Sequence, residues 1–104
     1  MATEFQQKVY QALSEIPAGS VTTYADLARS IGHECASRAV GSACATNPQV
    51  GVVPCHRAVQ SSGQVGSYIH GTQEKIRLLR EEGVPIDTSG KIEHLDSYLH
   101  HHFH

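Results

Sequence analysis

Phe5, Val9, Leu13 and Ile16 recur at helical spacing, and Thr3 stands where an N-cap belongs, so Thr3 to Ile16 reads as one amphipathic helix. Pro17-Ala18-Gly19 ends it. Val21-Thr22-Thr23 reads as extended chain running into a second helix, Tyr24 to Ile31. Thr23 and Asp26 occupy the positions of a capping box, and Gly32 is the expected stop. A third helix is expected over about Ala36 to Ala45, rich in small residues such as Ala36, Ser37, Ala39, Gly41 and Ser42. Two short helices joined by a tight glycine-containing turn outline a helix-turn-helix. Any small helical domain can contain such a pair. The small-residue surface is the sharper clue, because it lets a helix approach another backbone or a minor groove closely.

Asn47-Pro48 breaks the third helix. Gly51-Val52-Val53 reads as a short buried segment leading into Pro54-Cys55-His56-Arg57. Gln60 to Gly66 reads as a turn between two short strands. Thr72 is expected to cap a fourth helix with an apolar face of Ile76, Leu78 and Leu79; Gly83 stops it and Pro85 forbids its restart. Thr88-Ser89-Gly90-Lys91 reads as a hairpin turn before Ile92 and Leu95. The pattern is mainly α with short β-hairpin segments, a helix-turn-helix or winged-helix-like domain. The 104 residues suffice for one domain with one modest core, placed over about 3–86, followed by a hairpin and a His-rich tail over 87–104.

Composition adds limits. Apolar residues make up 39% of the chain and Trp is absent, so the core must rest on Leu, Ile, Val and Ala. A net charge of -2 does not by itself suggest nucleic acid. However, Arg29, Arg38 and Arg57 lie in a central stretch whose one acid is Glu34. A locally basic face on a nearly neutral protein implies weak, salt-sensitive phosphate contacts. No membrane-spanning run and no signal peptide are read from the chain. Three Cys at irregular spacing do not form a disulfide framework, so a reducing compartment, cytoplasmic or nuclear, is expected. Cys35 and Cys44 read as structural. His94, His100, His101, His102 and His104 read as a frayed tail with incidental metal affinity, so no metal site and no cofactor are expected.

Pro54-Cys55-His56-Arg57 carries the candidate chemistry. A Cys becomes a nucleophile when its thiolate is favoured, and neighbouring basic groups favour it. Sequence neighbours need not face each other, so a small buried thiol beside a His that caps a turn is the plainer alternative. The wider pattern runs Val21-Thr22-Thr23-Tyr24, Ser37-Arg38-Ala39-Val40-Gly41, Asn47-Pro48, Pro54-Cys55-His56-Arg57, Ser61-Ser62-Gly63, Gly66-Ser67-Tyr68, Lys75 and Leu78-Leu79 to Glu82-Gly83. In this order it strongly resembles the C-terminal, active domain of the O6-alkylguanine-DNA alkyltransferases, over about residues 5 to 85.

The resemblance implies roles at the matching positions. Cys55 would accept the alkyl group. His56 would act as its base through a water, with Glu82 orienting His56. Arg38 would fill the gap left by a flipped nucleotide, and Tyr24 would contact the flipped base and the backbone nearby. Asn47 would tie the helix-turn-helix to the active-site loop. The carbonyls of Cys55 and Ala58 would accept from the guanine amino group. Tyr68 and the backbone of Ile69 would lie near its O6, and Lys75 would sit behind Tyr68. Ala36, Ser37, Gly41 and Arg57 join Arg38 and Tyr24 as expected DNA contacts. The implied partner is double-stranded DNA containing O6-alkylguanine, with other repair proteins as further candidates, and a monomer is expected. The reading needs the Cys55 sulfur to face a cavity large enough for an everted purine.

Some positions depart from the family pattern. Ile69 and His70 stand where a small residue and Gly are common, which predicts a narrowed pocket. Val50 stands in place of a common Pro, and Ala58 in place of Val. The separate N-terminal domain of many members, with its metal site, is not among these residues. Alkyltransferase-like proteins form a related single-domain subgroup. They replace the acceptor Cys, often with Trp, and bind lesions without transfer. Their compact form makes lesion binding the second reading. A Cys-dependent hydrolase of small molecules is the third.

Overall fold

The N-terminal apolar stripe forms helix α1 over Glu4–Leu13, in a computed structural model that describes residues 3–46, 53–66 and 68–100. Thr3 caps it: its Oγ1 accepts from the Gln6 N–H at 3.1 Å, and the Gln6 side chain accepts from the Thr3 N–H at 2.9 Å. This reciprocal pair satisfies two donors that the helix cannot. The helix ends earlier than the pattern predicted. The N–H groups of Glu15 and Ile16 bond to Ala12 and Leu13, tightening the last turn, and Pro17 disfavours helical backbone just before it. Ile16 is buried all the same.

Helices α2 (Tyr24–Ser30) and α3 (Ser37–Ala45) form the expected helical pair. Thr23 Oγ1 accepts from the Asp26 N–H at 3.0 Å, whereas the Asp26 carboxylate takes the Arg29 guanidinium at 2.9 Å. Aspartate is one methylene shorter than the glutamate that usually completes the box. Gly32, at φ 82, closes α2. The His33 N–H reaches the Ala28 carbonyl and the Gly32 N–H the Arg29 carbonyl, a left-handed cap that glycine adopts without strain. The small surface of α3 is divided. Ala43 and Cys44 are buried in one cluster with Val9, Leu13 and Leu27, and Arg38, Ala39 and Ser42 are exposed. The Tyr10 hydroxyl donates to the Ala43 carbonyl at 2.9 Å, tying α1 to α3.

Strands β1 (Thr22–Thr23) and β2 (Ala58–Val59) pair in parallel, Thr22 with Ala58 and Thr23 with Val59. Parallel pairing requires a long crossover. Here the crossover contains the helical pair and the Pro54-Cys55-His56-Arg57 segment, which fixes both to one two-stranded platform. The Gln60–Gln64 turn is present, with the Gln60 N–H on the Gln64 carbonyl at 2.9 Å. Its flanks do not form one hairpin, because Val59 pairs with β1 and Gln64 bridges antiparallel to Lys91.

Helix α4 covers Thr72–Glu81. Thr72 is not its cap. Gly71 holds that position at φ 95, and the Thr72 hydroxyl turns to the Gly66 carbonyl at 3.4 Å. The inward face is Ile76, Leu79 and the fully buried Lys75, with Leu78 half-buried. Gly83 ends the helix at φ 91.

The expected hairpin is present, with Ile86 opposite Ile92 and the Asp87 carboxylate accepting from Ser89 and Lys91 N–H groups. As far as His100 the chain beyond it is docked and not frayed. A short helix α5, Leu95–Tyr98, leads to Leu99, which bridges parallel to Val21. The Val21 N–H bonds to the Tyr98 carbonyl and the His100 N–H to the Val21 carbonyl, both at 2.8 Å. Leu95, Tyr98 and Leu99 pack on a second cluster that includes Val21, Val59, Val65, Leu79 and Ile92. His101, His102 and His104 lie outside the described residues. No helix among the described residues is long and apolar enough to cross a membrane.

Truncation before Leu95 removes these apolar contacts from the second cluster. It is expected to lower the urea-unfolding free energy by about 3 kcal/mol, since full burial of a large apolar side chain contributes about 1.5–3 kcal/mol and these three are partly buried. A truncated chain as stable as the parent would contradict the docking.

Candidate active site

Pro54 (φ -80, ψ 63) turns the chain into a short 3₁₀ turn, Cys55–Arg57. The Cys55 N–H bonds to the Val53 carbonyl at 2.8 Å and the Arg57 N–H to the Pro54 carbonyl at 3.0 Å. Cys55 is 2% exposed, within the first core cluster, against which Tyr24 and Tyr68 pack. Cys55 is therefore covered by its neighbours among the described residues.

His56 is 9% exposed, and its Nε2 lies 2.9 Å from Glu82 Oε2, bringing together two residues far apart in sequence. A carboxylate can only accept, so Nε2 carries the proton and Nδ1 is the basic nitrogen of the neutral ring. Burial pushes the imidazole below its usual range, the Glu82 hydrogen bond and charge pull it up, and the Arg57 and Lys75 charges push it down; the net direction is down. Burial pulls the Glu82 carboxyl up, but the hydrogen bonds from Arg57 and His56 prevail and hold it below the usual range.

Arg57 is not placed as a phosphate contact. Its Nε donates to Glu82 Oε1 at 2.9 Å, its Nη2 to Oε2 at 2.7 Å, and its Nη1 to the Ile16 carbonyl at 2.7 Å. The planar fork is turned inward, where a bidentate pair is strongest.

Lys75 is not the surface residue of the plain alternative. It lies fully buried beneath Tyr24, with Nζ donating to the Ala58 carbonyl at 2.6 Å and to the Tyr24 hydroxyl at 3.2 Å. The expected place was behind Tyr68, with a surface helix position as the plain alternative. Burial lowers its pKa to about 8, although the nearby Cys44 and Cys55 oppose the shift. The two carbonyls expected to receive a guanine amino group already have internal donors: Cys55 O takes the Ala58 N–H, and Ala58 O takes Lys75. Each carbonyl keeps a second lone pair.

Tyr68 stands between two imidazoles. Its ring is 6.4 Å from His56 and 5.7 Å from His70, both edge-on. Burial pushes the phenols of Tyr24 and Tyr68 upward, so both remain protonated donors at neutral pH. Ile69 is 43% exposed and His70 is exposed as well, with the His70 ring set edge-on against Tyr68. Gly66 is required twice over: its φ is +78, and a Cβ there would come within 3.2 Å of the Tyr24 hydroxyl.

A groove of about 420 Å³ brings Tyr24, Ser37, Arg38 and Gly41 opposite Gln60, Ser61 and Ser62. Ala36 lies apart, beside His33 and Cys35 at the helix-helix turn. The wall formed by the Gln60–Ser62 turn was read from sequence only as a turn. Its signal was the Ser61-Ser62-Gly63 stretch in the family pattern. Asn47, Val50 and Ser67 lie outside the described residues. Cys44 is buried and Cys35 exposed, both free. Burial, with Cys55 nearby, pushes the Cys44 thiol up to about 12.

Comparison with known proteins accords with this arrangement. The chain is 47% identical over 81 residues to a methylated-DNA–protein-cysteine methyltransferase of Methanosarcina acetivorans, covering 78% of this chain and 52% of that protein. The structure of S. pombe Atl1 in complex with damaged DNA containing O6-carboxymethylguanine superposes with a TM-score of 0.83 at 34% identity, covering 97% of this chain and 99% of the other. Mycobacterium tuberculosis OGT in complex with DNA superposes with a TM-score of 0.78 at 42% identity, covering 80% and 51%. The chain spans about a quarter to about half the length of the curated relatives it matches. Residues 4–84 match the family described as 6-O-methylguanine DNA methyltransferase, DNA binding domain, and the chain belongs to that family.

Proposed function

We propose that this domain repairs DNA by taking an alkyl group from O6-alkylguanine onto Cys55, once per molecule, after the base is flipped from the duplex. The observation that carries the reading is the pairing of His56 with Glu82 at 2.9 Å on the turn that holds Cys55. A nucleophile, a base and a group that orients the base are the components such a transfer needs.

His56 takes the Cys55 proton, directly or through a water. The thiolate forms a bond to the alkyl carbon as the carbon–O6 bond breaks, and the electron pair leaves with guanine. The Tyr24 and Tyr68 phenols, kept protonated by burial, can donate to the departing base. The product is a thioether, which nothing in this chemistry reverses. Arg38, exposed on α3 at the groove, suits insertion into the stack. The absence of a capping side chain at the start of α3 leaves backbone donors available for a phosphate.

Lesion binding without transfer is the second reading. It is favoured by the near-complete mutual coverage with S. pombe Atl1. Cys55 within Pro54-Cys55-His56-Arg57 favours transfer.

Incubation with duplex DNA containing O6-methylguanine is expected to add one methyl mass to the protein, on the peptide holding Cys55. Cys55→Ser is expected to keep DNA binding and lose transfer. An unmodified thiol after saturating binding would instead support lesion recognition alone.

His70→Gly removes the ring set against Tyr68. It is expected to raise the transfer rate from O6-benzylguanine about tenfold or more, as relief of a clash of one to a few kcal/mol would. An unchanged benzyl-to-methyl rate ratio would refute the narrowed pocket.

A further inference from the structure

The inference concerns Arg57 and rests on the transfer reading above. Glu82 sits at the C-terminal cap of α4, and its two oxygens are shared by two donors of different character. His56 holds Oε2, while Arg57 holds Oε1 and Oε2 together. Both members of the Arg57–Glu82 pair have side chains only 17% exposed, so solvent screens this charge balance weakly.

A carboxylate alone at 2.9 Å from an imidazole nitrogen stabilises the charged ring. A guanidinium on the same carboxylate offsets part of that attraction. The other groups facing His56 do not replace the missing negative charge. Lys75 is cationic, Tyr68 is a protonated phenol at the ring edge, and Cys55 is the adjacent thiol that must give up its proton. We propose that Arg57 is a positioning residue that fixes the Glu82 carboxylate on His56 and, by neutralising it, keeps the imidazole uncharged and able to accept the Cys55 proton.

The side-chain type fits the task. The guanidinium fork spans both carboxylate oxygens and still reaches the Ile16 carbonyl, which anchors it to the chain after α1. Burial is the first cause of the downward shift of His56, and Arg57 adds to it against the upward pull of Glu82.

The test follows His56 in the full chain, both by NMR titration of its ring and by the pH dependence of single-turnover transfer from O6-methylguanine DNA. Arg57→Met removes the positive charge and is expected to move the His56 midpoint, and with it the acidic limb of the rate profile, to higher pH by about one unit, a tenfold change in proton affinity. Arg57→Lys restores a charge and is expected to leave both close to the parent. DNA affinity is expected to stay within about twofold in both, since Arg57 faces inward. A midpoint that is unmoved or lowered in Arg57→Met overturns the proposal, as does a rise in Arg57→Lys equal to that in Arg57→Met. If Arg57→Met does not fold, Arg57→Gln decides by the same criterion, because it keeps a donor to Glu82 without the charge. If the parent transfers no alkyl group, the functional reading fails, and the ring titration still decides this one.

Discussion

The carboxylate of Glu82 is where this domain's separate parts meet. Its oxygens, at the end of α4, take His56 and Arg57 from the turn that carries Cys55, and Arg57 continues to the Ile16 carbonyl after α1. The chain at Gly19 passes so close that a Cβ there would lie 3.3 Å from the Glu82 carbonyl. A carboxylate at a helix C-terminus opposes the helix dipole, so its placement has to be offset by the two charge-assisted partners. Removing either partner would leave a largely buried charge short of compensation. The placement of the base and the tie from the chain after α1 to the site therefore converge on one side chain.

A second buried cation complements it. Lys75 joins α4 to β2 through the Ala58 carbonyl and to the start of α2 through the Tyr24 hydroxyl. The parallel pairing of β1 with β2 sets Ala58 beside Thr22, two residues before Tyr24, and one ammonium serves both the Ala58 carbonyl and the Tyr24 hydroxyl. Tyr24 both lines the groove beside Arg38 and packs on the cluster that holds Cys55.

Much of this was legible in the sequence. Val9 and Leu13, Thr3 and Thr23, Gly32 and Gly83 each carry a local signal that the structure obeys, because caps, apolar stripes and left-handed glycines act within a few residues. The link between His56 and Glu82 came through family resemblance, since no local rule joins residues 26 apart. What escaped reading depends on long-range partners. A lysine on a polar-looking helix is read as exposed, and partners such as the Ala58 carbonyl and the Tyr24 hydroxyl make its burial tolerable. Arg57 in a basic stretch is read as a phosphate contact until Glu82 is found beside it. Strands of two residues carry no periodicity, and the tail is apolar at Leu95, Tyr98 and Leu99 but interrupted by polar residues and surrounded by His.

The account stands on Glu82 acting through His56 on the Cys55 thiol. Its most direct test is the single-turnover rate for Glu82→Gln, measured beside its affinity for the same O6-methylguanine duplex. The account predicts a fall in rate of about a hundredfold, the lower end of general-base contributions, with affinity nearly unchanged. A rate equal to that of the parent, in a variant that folds and binds normally, would contradict it.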